Sequence, residues 1–393
     1  MHKKHYCYIP FEGITIDPRG KAQLCPVWTS SPGHDLHDLT KSSTTIEKLF
    51  YGQHMENIRE KMLKDDYVSA CESCYKKERQ DLRSHRLKYA EDRIDTVNNA
   101  KIKFLDISFS NQCNLGCAMC NSIHSSHWSQ QEKTMPADLF KTTQGLYDYH
   151  KFKPFILSKE FLDSLYETLP DLEFIVIKGG EPLYDKNCLA FLKKVSEVKP
   201  DLTIKLVSNI TILPERTLQV LSDLKNIEIT ASIDGIGKVY NWIRGFDFKK
   251  VDKNFQTLAS LPNIKKLSIN YTTTIYNIEN MFDTMHHFKK YQSEAFHKKR
   301  ITFSIANEPY FHIKLLSNKN KKNILAKIES KQYPFIMHDK DYNAFKKLLD
   351  INHKGWPTPD VNSFIKYTEW MNEVRGFNIA NEVPHIDRLL NEK

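Results

Sequence analysis

Three cysteines within eight residues constrain this chain more than any other feature. The segment Cys113-Asn114-Leu115-Gly116-Cys117-Ala118-Met119-Cys120 directly follows an apolar, strand-like run over residues 102–109. A loop with this spacing can fold three thiolates onto three corners of one cuboidal iron–sulfur cluster. The fourth iron is then left without a protein ligand, and an open iron in a reducible cluster is a reactive position. The octapeptide therefore indicates an enzyme.

Composition is typical of a soluble globular protein. The chain has 393 residues, of which 40% are hydrophobic and 27% are charged. No apolar run reaches the ~20 residues of a membrane helix, and the N-terminus lacks the apolar segment of a secretory signal. We therefore expect a cytoplasmic protein with no membrane partner. The net charge of +9 comes from scattered lysines, which favours an ordinary solvated surface over a nucleic-acid-binding one.

Cysteines are concentrated near the N-terminus, since seven of the eight precede residue 121. In a reducing compartment, clustered cysteines indicate metal ligands rather than disulfides. Besides the triad there is a second group, formed by Cys7, Cys25, Cys71 and Cys74. Four thiolates are enough to saturate a second cluster. Cys188 lies in a helical run, and we expect it to be a core residue.

Structural zinc is the alternative for both cysteine groups. Zinc takes four ligands in a closed tetrahedron, and His124 or His127 offers a fourth ligand beside the triad. The second group, with its Cys71-x-x-Cys74 pair, also has the cysteine pattern of a zinc ribbon. Its two isolated cysteines, Cys7 and Cys25, could instead be buried apolar residues. A zinc-stabilised scaffold or nucleic-acid-binding protein is therefore the alternative to an enzyme.

From residue 100 onward the pattern alternates between strand and helix. It predicts strands at 102–109, 173–178, 203–208, 227–233, 266–273 and 301–305, with helices between them at 159–169, 186–198, 214–224, 248–261 and 278–291. Six such units predict an α/β fold with a partial (β/α)6 TIM-like barrel. Active sites of such barrels lie at the C-terminal ends of the strands.

Two flanking regions complete the predicted organisation. Residues 1–99 are irregular, with a strand at 13–16, a turn at 30–33 and helices at 45–64 and 75–97. Residues 339–393 look helical, with a break at Gly355-Trp356-Pro357-Thr358-Pro359. We therefore expect a small α+β cluster domain at 1–99, the barrel at 100–310 and a helical C-terminal extension at 311–393.

Unusual polar motifs follow several predicted strands. In Gly179-Gly180-Glu181-Pro182, the glycines would let a ligand approach the backbone closely, and Glu181 adds a carboxylate. The alternative is a plain turn in which Pro182 begins the next helix. Ser208-Asn209 and Asp234-Gly235 also end predicted strands, so one end of the barrel would collect all these motifs.

The cysteine loop and the glycine turn, in this order on a β/α repeat, resemble the radical S-adenosylmethionine (SAM) superfamily over roughly residues 100–310. The resemblance implies a [4Fe-4S] cluster on Cys113, Cys117 and Cys120, with SAM on the open iron. Reductive cleavage of SAM then gives a 5′-deoxyadenosyl radical that abstracts a substrate hydrogen. An electron donor such as flavodoxin or ferredoxin is also implied.

The same resemblance implies roles for residues around SAM. Met119 stands where an aromatic residue is common, and its contact to adenine runs largely through the backbone. Gly179, Gly180 and Glu181 are expected to contact the SAM ammonium group. Ser208 and Asn209 are expected near its carboxylate and ribose, although Ile210 replaces the usual glycine.

A second segment, which contains Ser232 and Asp234 and is followed by Arg244, resembles members of the superfamily that carry auxiliary clusters. There Ser232 and Arg244 are expected to approach SAM, and Asp234 is expected to face the substrate cavity as a catalytic residue. The alternatives are an ordinary Asp-Gly turn for Asp234 and a surface ion pair for Arg244.

The layout around Cys7, Cys25, Cys71 and Cys74, with Ser84 and Arg86 following, resembles a twitch domain placed before the barrel. This resemblance implies a second [4Fe-4S] cluster that accepts the electron released from the substrate radical. The net reaction would be a dehydrogenation or cross-link, catalysed by a radical SAM oxidoreductase. The implied substrate is a peptide, a protein or a small polar metabolite.

Overall fold

The computed structural model describes residues 4–28, 34–79, 83–91, 97, 99–137, 139, 155–306, 308–353 and 358–391. Its strands are β1 Gly13–Ile16, β2 Lys21–Gln23, β3 His37–Asp38, β4 Phe104–Ile107, β5 Phe174–Ile177, β6 Thr203–Ser208, β7 Asn226–Ser232, β8 Ile264–Thr273 and β9 Ile301–Ile305. Its α-helices are α1 Ile9–Glu12, α2 Ile46–Phe50, α3 Gln53–Leu63, α4 Glu72–Glu78, α5 His85–Tyr89, α6 Trp128–Gln131, α7 Lys159–Thr168, α8 Lys186–Val198, α9 Glu215–Asp223, α10 Gly237–Arg244, α11 Phe248–Ala259, α12 Asn280–Phe288, α13 Asn318–Ser330, α14 Asp339–Leu349, α15 Val361–Arg375 and α16 Pro384–Asn391. None of these helices is long and apolar enough to span a membrane.

The chain forms two compact units that are discontinuous in sequence. The first comprises Met1–Gln112, Lys153–Leu206 and Asp223–Asn226. The second comprises Cys113–Phe152, Val207–Ser222 and Ile227–Lys393. The predicted boundaries at 99/100 and 310/311 separate regions of different expected function rather than compact units. They stay a prediction.

The first unit is built on strands in the order β3-β2-β1-β4-β5-β6. β1 pairs antiparallel with β2 but parallel with β4, and β4, β5 and β6 continue in parallel. The register aligns Ile14, Leu105, Ile175 and Ile204 on one face, and all four are buried. Successive residues of a strand point to opposite faces, so this face carries the apolar core of the unit.

The second unit is built on β7, β8 and β9, which are all parallel. Along β7 the buried residues Ile227, Ile229 and Ala231 alternate with half-buried polar ones. This alternation gives the strands one apolar face for the core and one polar face. The α/β class with a sheet rich in parallel pairs is therefore confirmed.

Most predicted elements are present, some with shifted ends. β6, β9 and α8 have the predicted bounds, and Cys188 is fully buried as expected. The single helix predicted over 45–64 is wrong, because extended backbone at Gly52 separates α2 from α3. In the described part of 75–97, the predicted helix is replaced by the end of α4 and by α5, with extended backbone at Ser84 between them.

Parts of three predictions lie outside the described residues. They are the turn at 30–33, residues 80–82 and 92–96 of the helix predicted over 75–97, and residues 355–357 of the C-terminal break. The C-terminal region that is described is helical as expected, in α14, α15 and α16.

Candidate functional site

The triad lies on an irregular loop that is held by its backbone. The Ser125 hydroxyl donates to the Leu115 carbonyl at 2.6 Å, and the Trp128 indole donates to the Cys117 carbonyl at 2.7 Å. The Ala118 amide in turn donates to the Ile243 carbonyl at 2.7 Å. These bonds satisfy buried backbone groups that a loop would otherwise leave unpaired. The cysteines are therefore presented from a fixed backbone.

Two side chains of α15 also hold this loop. The Tyr367 hydroxyl donates to the Ala118 carbonyl, and the Arg375 guanidinium donates to the Gly116 carbonyl and, at 2.6 Å, to the Trp242 carbonyl. Sequence reasoning missed both residues, because they lie about 250 residues from the loop and belong to no local motif.

The three thiols of the triad lie close enough to influence one another. Cys117 is buried, and Cys113 and Cys120 are half-buried. Burial raises the pKa of the Cys120 thiol well above its ordinary value, and the neighbouring Cys117 and Cys113 raise it further. Such thiols release their protons when they bind a metal. His124 and His127, the alternative zinc ligands, are exposed.

Arg244 joins one of these thiols to Asp234. Its Nη1 donates to Cys117 Sγ at 3.5 Å, and its Nη2 lies 2.5 Å from Asp234 Oδ2. Asp234 is fully buried and also accepts from the Thr272 amide at 2.6 Å. Burial raises the pKa of the Asp234 carboxyl, and the Arg244 guanidinium opposes that rise. Arg244 is thus a buried residue, and the surface-pair alternative for it is wrong.

Asn209 lies beside another thiol of the triad. Its Nδ2 donates to Asn114 Oδ1 at 3.1 Å and lies 3.9 Å from Cys113 Sγ. Ser208 Oγ accepts from the Ile210 amide at 2.9 Å, which fixes the turn after β6. Ile210 itself has φ +49°, the left-handed region that glycine favours.

Two further predicted residues lie in the second unit. Ser232 ends β7 and is half-buried, as is Met119 in the cysteine loop. The second unit thus brings the triad, Asn209, Arg244 and Asp234 into one network.

The glycine turn of the first unit is closely packed. Gly179 and Gly180 have φ +83° and +54°, and a Cβ on Gly180 would lie 2.3 Å from the Gln112 carbonyl oxygen. That carbonyl accepts from the Glu181 amide at 2.7 Å. Only glycine fits such an approach in this backbone conformation. The turn therefore holds the chain at Gln112, the last residue before the triad in sequence.

Glu181 is buried, and its carboxylate is engaged within the turn. Oε1 accepts from the Leu183 amide at 3.0 Å. Asp185 follows and caps α8, accepting from the amides of Asn187 and Cys188. The Gly-Gly-Glu-Pro segment thus combines two glycines of positive φ with the local hydrogen bonding of a βα turn.

The four N-terminal cysteines line one pocket in the first unit. The walls are made by Cys7, Cys25, Cys71 and Cys74 together with apolar side chains such as Ile9 and Leu24. Burial raises the pKa of Cys7 and Cys25, and it raises that of Cys71 to about 12. Four soft donors around one apolar pocket fit an iron–sulfur cluster. Among the described residues, no three His, Cys, Asp or Glu side chains are arranged to hold a single metal ion.

A buried arginine borders the same pocket. Arg86 donates to the Tyr6 carbonyl at 2.7 Å and pairs with the Glu78 carboxylate. Ser84, which caps α5 through the Leu87 amide, also donates to Glu78. These contacts fix α4, which carries Cys74, against α5.

Comparison with known proteins identifies the domain that carries the triad. Residues 107–290 match the family model of the radical SAM superfamily, so the chain contains a radical SAM domain. The superfamily consists of enzymes, and its members use a [4Fe-4S] cluster and SAM. The matched segment includes the triad, the glycine turn, Asn209, Asp234 and Arg244.

One curated relative and two solved structures are similar over parts of the chain. The GTP 3′,8-cyclase of Sulfurovum sp. (strain NBC37-1) is 24% identical over 135 residues, which is 34% of this chain. The chain spans about a third, 35%, of that relative's length. Streptococcus suis SuiB bound to SAM is 15% identical with a TM-score of 0.40, covering 83% of this chain and 67% of SuiB. SuiB bound to the precursor peptide SuiA is 13% identical with a TM-score of 0.41, covering 70% and 64%.

Proposed function

We propose that this protein is a radical SAM enzyme with two [4Fe-4S] clusters that carries out the net oxidation of a polar substrate. The observation that carries the two-cluster proposal is the pocket lined by Cys7, Cys25, Cys71 and Cys74. It lies outside the matched segment of residues 107–290, so these cysteines are additional to the triad. Four thiolates leave no iron open, which suits electron transfer better than substrate binding.

Cys113, Cys117 and Cys120 would hold the cluster that binds SAM. When bound, this cluster and SAM supply a 5′-deoxyadenosyl radical that takes a hydrogen atom from the substrate. The chain's own contribution is position and exclusion of water. Tyr367 and Arg375 fix the loop, and the three thiols would give up their protons to bind iron.

SAM itself would be held by residues that follow the strands. We assign the amino group to Gly179, Gly180 and Glu181, which follow β5. Ser208 and Asn209 would approach the carboxylate and ribose, Ser232 would contact SAM, and Met119 would offer its backbone to the adenine. Flavodoxin or ferredoxin would supply the electron.

Asp234 is assigned a positioning role in this proposal. Its carboxylate is fully buried and holds both the Thr272 amide and the Arg244 guanidinium. These contacts support the turn alternative over a substrate-facing catalytic carboxylate. Arg244 in turn reaches Cys117.

Polar side chains on the strand faces opposite the core support a polar substrate. In the first unit, Thr15 of β1 and Asp106 of β4 are register partners on the face opposite the apolar core. The Lys178 ammonium donates to the Asp106 carboxylate at 2.8 Å. In the second unit, Glu228, Thr230 and Ser232 form the corresponding half-buried face of β7. We propose that these parallel strands are those of a partial (β/α)6 barrel preceded by a twitch domain.

The substrate class is proposed only as a peptide, a protein or a small polar metabolite. The name of the cyclase relative states that it acts on GTP, a small polar molecule, and its match covers 34% of this chain. A net dehydrogenation or cross-link would release an electron, which the second cluster would accept.

Release of 5′-deoxyadenosine tests the enzyme proposal. Anaerobically reconstituted protein, mixed with SAM and dithionite, should release it in amounts that liquid chromatography detects. The triple variant Cys113→Ala/Cys117→Ala/Cys120→Ala should release none, whereas Cys188→Ala, a buried cysteine outside both groups, should match the wild type. A colourless protein that contains zinc and releases none would support the scaffold alternative.

A further inference from the structure

We propose that Arg244 donates a hydrogen bond to the Cys117 thiolate of the SAM-binding cluster and thereby raises the reduction potential of that cluster, with Asp234 as its buried anchor. The inference rests on the proposed function, because it requires a cluster on the triad. It starts from the bridge already described, in which one guanidinium contacts both Cys117 Sγ and Asp234 Oδ2.

Local structure places Arg244 at this position. It is the last residue of α10, and Gly245 ends the helix with φ +66° in the left-handed conformation. The preceding residues Tyr240, Trp242 and Ile243 are buried, so the final turn of the helix is fixed against the core. The arginine side chain therefore extends from a rigid helix end rather than from a loop.

Both partners of the Arg244–Asp234 ion pair are buried. Arg244 is 9% exposed and Asp234 is 0% exposed. A buried guanidinium needs a counter-charge and acceptors for its donors. Asp234 supplies the counter-charge, and the Cys117 sulfur accepts from a second nitrogen. Asp234 is itself held by the Thr272 amide at 2.6 Å, so the guanidinium has little freedom to turn away from the sulfur.

The chemical consequence concerns the reduced cluster. Hydrogen bonds to the sulfurs of an iron–sulfur cluster are among the factors that set its reduction potential. The reduced cluster carries one more negative charge than the oxidised one, so a donor to Cys117 stabilises the reduced form more. Because Arg244 and Asp234 together are net neutral, the hydrogen bond rather than a free charge is the expected source of the shift.

Arg375 provides an internal comparison. It is the other arginine placed against the loop among the described residues, and its guanidinium donates to the backbone carbonyls of Gly116 and Trp242. It thus holds the backbone of the loop, whereas Arg244 reaches a ligand atom. Arg244 therefore acts on the reduction potential through the Cys117 sulfur and does not react with the substrate.

The test is a redox titration of the cluster followed by electron paramagnetic resonance. The signal is assigned to the triad by its change on addition of SAM, which only a cluster with an open iron should show. The decisive variant is Asp234→Asn/Arg244→Met, which removes the hydrogen bond while keeping the buried region neutral. Arg216→Met is the matched control, because Arg216 is exposed in the same unit and the substitution is the same.

We expect the double variant to shift the midpoint potential to more negative values and the control to leave it unchanged. Arg244→Lys, which retains one donor, should fall between the double variant and the wild type. A midpoint in the double variant equal to that of the wild type, at equal iron content, would overturn the inference. If the double variant does not retain iron, Arg244→Lys decides, and an unshifted midpoint there overturns it.

The outcomes also separate this inference from the proposed function. A wild-type protein with no SAM-responsive cluster contradicts the proposed function. A SAM-responsive cluster whose midpoint ignores Arg244 contradicts the inference alone.

Discussion

The side chains of Arg244 and Asp234 form a buried ion pair, in which Nη2 lies 2.5 Å from Oδ2. Breaking such a pair by removing one partner leaves an uncompensated buried charge, which typically destabilises a protein by about 3–5 kcal/mol. We therefore expect Arg244→Met to lower the free energy of unfolding by about that amount. The variant Asp234→Asn/Arg244→Met should lose less, because no charge is left unpaired. Anaerobic urea unfolding measures both, and equal losses would contradict the ion pair.

His312 makes stability depend on pH. It is 0% exposed, and burial lowers its pKa to about 4, with Lys314, Lys321 and His353 lowering it further. The unfolded chain therefore binds a proton near pH 6.5 that the folded chain does not, so stability falls as the pH drops below that value. Between pH 7.5 and 5.5 this group should remove about 1 kcal/mol of stability.

His312→Asn provides the comparison for that pH dependence. Asparagine retains an acceptor for the Lys314 amide, which lies 3.1 Å from His312 Nδ1, but it does not titrate. Urea unfolding at pH 7.5 and 5.5 should show a smaller loss in the variant by about 1 kcal/mol. The same loss in both proteins would show that the pKa of His312 is not lowered in the folded state.

Gly180 should be essential for SAM binding, and Gly376 should not. A Cβ at Gly180 would meet the Gln112 carbonyl oxygen at 2.3 Å with φ +54°, whereas Gly376 has φ +72° with no atom within 4 Å. Gly376→Ala therefore tests backbone strain alone, which costs about 1–2 kcal/mol. Equilibrium dialysis should show much weaker SAM binding for Gly180→Ala and unchanged binding for Gly376→Ala. Equal affinities would remove the glycine turn from the proposed SAM site.

Ile210 adopts a conformation that its side chain opposes. It has φ +49° and is fully buried. Truncation to alanine should cost about 2–5 kcal/mol through the lost packing. Glycine loses the same packing but relieves about 1–2 kcal/mol of strain.

The comparison of the two variants isolates that strain. Ile210→Gly should be at least as stable to urea as Ile210→Ala. At an unstrained position glycine is about 0.5–1 kcal/mol less stable than alanine. A glycine variant less stable by that amount would mean that position 210 is not strained.

Local patterns predicted the individual elements well. β6 and α8 have the predicted bounds because their buried residues follow the periods of a strand and a helix. The helix over 45–64 was wrong because apolar spacing continues through Gly52, where the backbone becomes extended. α10 was not predicted, although Tyr240, Trp242 and Ile243 are buried, since it follows the Asp-Gly turn closely.

Contacts between distant residues could not be predicted in the same way. The triad was singled out by its spacing, whereas Asn209, Asp234 and Arg244 were singled out through the family resemblance, and their roles stay predictions. The hydrogen bonds of Tyr367 and Arg375 to the loop, and the parallel pairing of β1 with β4, depend on tertiary packing. The Arg244–Cys117 contact also escaped prediction, because it joins two motifs through the end of α10.

The iron and sulfide content per chain tests the two-cluster proposal most directly. Anaerobically reconstituted wild-type protein and Cys188→Ala should each contain about eight irons and eight sulfides. Cys71→Ala/Cys74→Ala should contain about four of each and should still release 5′-deoxyadenosine from SAM with dithionite. About four irons in all three proteins, or zinc retained at the N-terminal cysteines, would contradict a second cluster in the pocket of Cys7, Cys25, Cys71 and Cys74.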